Sequence, residues 1–144
     1  PLSTSGGDVH ALRERLQALM WDDVGIVRTR STLERAIGEL DALHAQLGAT
    51  GVAGGERAFN MTWHDWLNLD SLLLASRAIA RAALAREDSR GAHFREDFPE
   101  TGDLDRSAYT RIAVRDGDLR VDFAPVEFTR VRPGQSLLKA GSKP

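Results

Sequence analysis

Four histidines, His10, His44, His64 and His93, are the first residues to weigh for chemistry. Imidazole ligands for a metal must converge, and on a helix the readable form is an H-x-x-x-H pair. None of the four stands at that spacing. His44 falls close to an apolar helical stripe, where a packed and hydrogen-bonded ring is expected. His64 falls in a first helical turn, where exposure is expected. No cysteine occurs, which excludes disulfides and thiolate metal sites. No G-x-S-x-G nucleophile turn is present. The glycines of "GATGVAGGERA" (48–58) invite a phosphate-loop reading, yet no strand precedes them and no Lys-Ser/Thr pair follows. A Rossmann glycine fingerprint is absent too, so the chain is not expected to bind a dinucleotide alone.

The densest charge lies in "SRGAHFREDFPE", Ser89 to Glu100, with Arg90, His93, Arg95, Glu96, Asp97 and Glu100 beside two aromatic rings and a glycine. Arg90 and Arg95 can each present a planar fork to carboxylates or backbone carbonyls. Two uses fit: an internal clamp between a helix end and the hairpin, or a docking surface for another domain. Arg77, Arg81, Arg86, Arg90 and Arg95 suggest a basic ridge, but Glu87, Asp88, Glu96 and Asp97 interrupt it. A nucleic-acid surface is normally less balanced, and the net charge of −2 draws the chain to neither nucleic acid nor membrane. Trp21, Trp63 and Trp66 are expected in a core or an interface.

Helices must position these residues. Asp8 reads as an N-cap, followed at helical spacing by Val9, Leu12, Leu16, Leu19 and Met20, with a stop near Val24–Gly25. Ser31 with Glu34 three residues on reads as a capping box for a second helix, whose stripe is Leu33, Ile37, Leu40, Leu43 and Leu47 and whose end is Gly48. Thr62, with Asp65 at the third helical position, reads as the start of a third helix reaching about Glu87, with Met61 and Trp66 as a hydrophobic staple. Its polar residues Asp70, Arg77 and Arg81 share one narrow stripe, and most other positions are Leu, Ile or Ala. That predicts a central helix or one covered by a further partner. Gly91 is the expected stop after which Ala92, His93 and Phe94 leave in another direction. "MWDDVGIVRTRSTLERA", Met20 to Ala36, is not accounted for by helical packing alone, and neither is the Ser89–Glu100 run.

Past Pro99 the period changes to two. Asp116-Gly117 is a strong two-residue turn. Folding there sets Val114 opposite Leu119 and Ile112 opposite Val121 on one face, with Arg111 opposite Asp122 and Arg115 opposite Asp118 on the other. The expected organisation is a flexible lead-in over 1–7, a helical bundle over 8–100, a β-hairpin extension over 101–132 and a tail over 133–144. The expected fold is mainly α: a three-helix bundle, spectrin-repeat-like, with a C-terminal β-hairpin. At 144 residues, 42% hydrophobic and 28% charged, the composition is that of one ordinary globular domain. No apolar run spans a bilayer and no signal peptide is visible. Pro1 in place of Met leads us to expect a cut or processed product.

Three stretches, "MWDDVGIVRT" (20–29), "LLLASRAIARAALAREDSRGAHFREDFPE" (72–100) and "LRVDFAPVEFTRV" (119–131), carry a likeness. The chain resembles the C-terminal helical domain of the succinate dehydrogenase and fumarate reductase flavoprotein group, which includes L-aspartate oxidase. The resemblance implies a helical bundle with an appended hairpin that packs against the flavin-binding domain. It implies FAD in the parent enzyme, none held by this fragment, and no catalytic residue here. Arg90, Gly91, His93, Arg95, Asp97 and Pro99 match the motif and inherit an interface or structural role. Respiratory members commonly continue after "FP" with "RDD"; here "ETGDLD" follows, a departure that weakens assignment to a respiratory complex. The expected location is cytoplasmic, with membrane association only through partner subunits. The C-terminal domain of an L-aspartate oxidase is the alternative within the group, a freestanding protein-interaction module is the rival class, and a small enzyme in its own right the third.

Overall fold

The computed structural model describes residues 8–52 and 58–136. The lead-in and the end of the tail lie outside them, as does the centre of the glycine-rich loop. Three helices form the body: α1 (Val9–Val24), α2 (Arg30–Ala49) and α3 (Met61–Ala85). Two short strands follow α1 and α3, namely β1 (Val27–Arg28) and β2 (Phe94–Arg95). A hairpin of β3 (Ala108–Arg115) and β4 (Asp118–Pro125) follows. The expected three-helix bundle with a C-terminal hairpin is the fold.

The core is the leucine stripe of α2 against the inward face of α3. Leu33, Leu40, Leu43 and Leu47 meet Leu69 and Leu73, all fully or almost fully buried. Ala36 and Ala80 are buried among them, where small side chains let the helix backbones approach. Burial of such side chains stabilises by about 1.5–3 kcal/mol each before entropy is subtracted. Charge pairs lock the helices in rotation. Arg77 and Arg81 of α3 both reach Asp41 of α2, Nε to Oδ1 at 2.6 Å and Nη2 to Oδ2 at 3.1 Å. Arg35 of α2 grips the buried Asp23 of α1 with both arms of its fork.

Several helix ends differ from the sequence reading. Asp8 does cap α1, accepting from the Ala11 N–H at 2.9 Å. The cap of α2 is Thr29 with Thr32 as the reciprocal partner, two residues before Ser31. A threonine hydroxyl there does the work expected of Glu34. Gly48 lies inside α2, which runs on to Ala49; with α2 packed to its last turn, the glycine is held helical. α3 is capped by Asn60, whose side chain accepts from the Trp63 N–H, so Thr62 falls inside the first turn. Met61 is exposed and forms no staple. Trp66 instead donates Nε1–H to the carbonyls of Leu47 and Thr50, both at 3.1 Å. α3 ends at Ala85, not at Gly91.

The hairpin has the expected register, from Ala108 opposite Pro125 to Arg115 opposite Asp118. Arg111 clasps Asp122 with Nε and Nη2 at 2.9 and 3.1 Å. Arg115 faces Asp118 in the ladder, while the Asp118 side chain pairs with Arg120. Asp116 and Gly117 take φ of 53° and 84°, as a two-residue turn with both residues left-handed requires. A Cβ at Gly117 would meet open space, so strain there is purely conformational. Gly117→Val should therefore destabilise the hairpin by about 1–3 kcal/mol. Hydrogen exchange of the β3 and β4 amides should quicken while the α2 amides keep their protection; unchanged exchange would mean a different turn.

Candidate interface: the arginine clasp

The two stretches that helical packing does not account for are hydrogen-bonded to each other. β1 and β2 form a two-residue parallel ladder, Val27 opposite Phe94 and Arg28 opposite Arg95, and the Glu96 N–H donates to the Arg28 carbonyl at 2.9 Å. This ladder brings the start of α2 to the end of α3.

Arg95 is at its centre, with no exposed surface and as the largest of the fully buried side chains. A buried guanidinium is tolerated only when its donors are matched. Nη1 donates to the carbonyls of Ala83, Leu84 and Arg86 at 3.0–3.1 Å, the orphan acceptors of the last turn of α3. Nε and Nη2 donate to the two oxygens of Asp97 at 2.7 and 2.8 Å. The Phe98 ring lies 5.0 Å from the guanidinium carbon. Asp97 in turn accepts from the Arg30 N–H, the first of α2, at 2.9 Å. A cation thus closes the negative end of one helix, an anion closes the positive end of the next, and the two are paired. The Arg95 hydrogen bonds hold the Asp97 carboxyl well below the ordinary value of 3.8.

The other motif residues surround this pair. Ser89 Oγ accepts from the Arg95 N–H and donates to the Phe98 carbonyl, each at 2.8 Å. Gly91 has φ of 59° and makes the tight turn in which Arg90 and His93 exchange backbone bonds of 2.8 and 3.1 Å. Its left-handed conformation was readable from sequence; its task, turning a loop rather than ending a helix, was not. His93 Nδ1 lies 2.8 Å from Arg28 Nη1 and Nε2 lies 3.4 Å from the Arg86 carbonyl. Arg28 can only donate, so the ring is neutral with its proton on Nε2. Burial first, and then the charges of Arg28 and Arg86, push this imidazole below 6.5, while the Arg86 carbonyl and Asp88 pull the other way. Arg90 reaches forward to the Ser107 hydroxyl at 2.7 Å and the Thr101 carbonyl at 2.9 Å. Arg86 reaches the Ala108 carbonyl and the Thr110 hydroxyl, both at 3.3 Å. Pro99 is exposed, at the exit toward Glu100, whose carbonyl accepts from the Ser89 N–H.

The expected basic ridge does not exist as a ridge, because Arg77, Arg81, Arg86, Arg90 and Arg95 each turn to a carboxylate or a carbonyl. His44 is half-exposed, 3.5 Å from Asp70, rather than packed away. Trp21, expected in a core or an interface, is 84% exposed. Sequence reasoning missed the partners of the motif, Arg28 for His93 and Arg30 for Asp97. Their signal was the unassigned "GIVRTR" between two helices, a β-type dipeptide too short to be read as a strand.

This arrangement binds helix ends together. Among the described residues no group of three or more His, Asp or Glu could hold a metal ion. A hollow of about 280 Å³ beside the clasp is lined by Arg86, Arg90 and Arg106 but also by Glu87, Asp88 and Asp103, so no sign of charge prevails. The N-terminus of α2, where a phosphate group would otherwise dock, is taken by Asp97. No helix among the described residues is long and apolar enough to cross a membrane.

The resemblance to known proteins gives the family of this three-helix bundle with its trailing hairpin. Residues 13–137 match the family described as fumarate reductase flavoprotein C-term, and the chain belongs to it. The fumarate reductase flavoprotein subunit of Mycobacterium tuberculosis (strain ATCC 25618 / H37Rv) is 36% identical over 134 residues, 92% of this chain and 23% of that protein. The 8-methylmenaquinol:fumarate reductase flavoprotein subunit of Wolinella succinogenes is 31% identical over 126 residues, 87% of this chain and 21% of that protein. A solved structure of E. coli quinol fumarate reductase superposes with a TM-score of 0.83 at 25% identity, over 93% of this chain and 24% of that one. The chain thus spans less than a quarter of the length of these relatives.

Two measurements test the clasp. Arg95→Met should destabilise the chain by about 3–5 kcal/mol, because Asp97 and the α3 carbonyls lose their donor. Arg90→Ala, nearer the surface, should cost about 1–3 kcal/mol. Denaturant unfolding reads both, and equal small effects would remove Arg95 from its central place. The second test is pH. A folded-state value below 6.5 for His93 means that its contribution is complete above 6.5 and is lost as pH falls. Asp97 adds a further loss only below its ordinary 3.8. Between about pH 7 and 5.5 the melting temperature of the wild type should fall more than that of His93→Asn, whose side-chain carbonyl still accepts from Arg28. Parallel profiles would refute the neutral-ring assignment.

Proposed function

We propose that this chain is the C-terminal helical structural domain of an FAD-dependent oxidoreductase of the succinate dehydrogenase/fumarate reductase type. It packs against the flavin-binding domain of the same parent and supplies no reacting group. The reaction of the parent is succinate–fumarate interconversion or a closely related dicarboxylate oxidation. On this reading the flavin belongs to the flavin-binding domain; among the described residues the junction from β1 to α2 is occupied by Asp97, which accepts from the Arg30 N–H.

The observation that carries this reading is the use made of the densest ionisable cluster. Arg90, His93, Arg95 and Asp97 are all engaged with the chain's own backbone and side chains, so Gly91 and Pro99 shape a joint rather than a reaction site. The domain resides in the cytoplasm and reaches a membrane only through partner subunits.

The purified chain should be colourless and should not reduce fumarate, whereas the parent should carry FAD. Flavin absorbance in the chain alone, or fumarate reduction by it, would overturn the assignment. A reading frame opening just before Pro1, with no flavin-binding segment upstream, would favour the freestanding interaction module instead.

A further inference from the structure

The hairpin is a two-stranded ribbon, and β4 has β3 on one side and no strand on the other among the described residues. The phase of its hydrogen bonds is fixed at its root. The Val126 N–H donates to the Ser107 carbonyl at 2.9 Å, one step beyond the Ala108–Pro125 pair. Bonded pairs alternate along an antiparallel ladder, so Arg111–Asp122 and Ala113–Arg120 are bonded and Ile112–Val121 is not. Leu119, Val121 and Phe123 therefore turn their N–H and C=O groups outward, along the free edge of β4.

The two edges of the ribbon are not alike. The outward groups of β3 begin at Ala108, whose carbonyl is held by Arg86 together with the Thr110 hydroxyl. No hydrogen bond from outside the hairpin reaches Leu119, Val121 or Phe123 among the described residues. An open edge of this kind is a template for another strand. Pro125, which has no N–H to offer, closes it only at the root of β4. Ile112, Val114, Leu119, Val121 and Phe123 share one face of the ribbon, and Val114 and Phe123 are 58 and 51% exposed. Two strands with such a face are marginal in water, whereas three or more are stable.

The residue order of β4, DLRVDFAP, selects the strand that fits. Laid antiparallel to a second copy of itself about Val121, it sets Leu119 opposite Phe123 and Val121 opposite its own equivalent on the apolar face. On the other face Arg120 falls opposite Asp122, and by symmetry this happens twice. The outward positions 119, 121 and 123 coincide in both copies, so their backbone groups can bond. Sliding by two residues sets Arg120 on Arg120 one way and Asp122 on Asp122 the other. Arg120 is exposed and holds Asp118 only at 3.4 Å. Asp122 binds Arg111, yet a carboxylate keeps lone pairs for a second cation.

We propose that the free edge of β4 pairs antiparallel with the β4 edge of a second copy of this chain, centred on Val121, to form a four-stranded sheet about a twofold axis.

Sedimentation of the chain should show a dimer that dissociates on dilution. Arg120→Asp and Asp122→Arg should each weaken it by about tenfold or more, because each sets like charges opposite one another twice. Mixed in equal amounts, the two variants should recover a mixed dimer, since each then meets the opposite charge. Hydrogen exchange at the Arg111 and Ala113 amides, bonded within the hairpin, checks that the ribbon persists. The chain has no cysteine, so a single thiol can be placed on the axis. Val121→Cys should cross-link to its own equivalent under a mild oxidant about tenfold faster than Val114→Cys, although Val114 is the more exposed, because facing Cα atoms of a bonded pair lie within disulfide reach. If Asp122→Arg loosens the ribbon by losing Arg111, the cysteine pair decides alone. A chain that is monomeric at every concentration, a dimer indifferent to Arg120→Asp, or cross-linking at position 121 no faster than at 114 overturns the proposal.

Discussion

Arg95 cannot be buried unless the ends of two helices come to it. Its guanidinium has no contact with water, and the desolvation of such an ion costs several kcal/mol. Three carbonyls at the end of α3 and both oxygens of Asp97 offset that cost, and Asp97 is available only because it also accepts from the first N–H of α2. The geometry is therefore mutually conditional. An arginine suits this place because it offers a planar fork to the carboxylate and keeps a further nitrogen for the helix end, which a lysine ammonium cannot do in one plane.

The apolar core and the clasp have different tasks. Leucines of α2 and α3 supply most of the burial but would tolerate some sliding of one helix along the other. The Asp41 and Asp23 pairs fix rotation, and the clasp fixes the axial position by joining the end of α3 to the start of α2. Beyond it, Arg86 and Arg90 carry the same economy outward to the hairpin, holding the Ala108 and Thr101 carbonyls. A two-stranded ribbon is marginal in water on its own. Here it is anchored at its root by two arginines, and both of its strands touch α3.

Such a joint ties the helix ends and the root of the hairpin into one stiff body. The family to which the chain belongs and the internal use of its arginines point the same way. The exposed apolar face of α3 and the exposed Trp21 show that its surface is not finished for water everywhere.

The number of helices, their apolar faces, the hairpin and its register were all legible in the sequence, because period and turn chemistry are local. Asp116-Gly117 needs no distant partner to prefer its turn. Leu33 to Leu47 declares a stripe whatever it packs on. The family motif was legible too. Helix caps were less so: Ser31, Thr62 and Asn60 are all competent cap residues, and the choice among them falls to where packing ends the helix. What only the tertiary structure decided is the pairing of Arg28 with His93, of Arg30 with Asp97 and of Arg95 with the end of α3, across 65 and 67 residues of chain in the first two cases. Sequence shows that an arginine carries a fork; it does not show which carbonyls are left without a partner when a helix stops at Ala85. Those acceptors exist only once α3 has ended, and Asp97 can reach them through Arg95 only once β1 and β2 have paired.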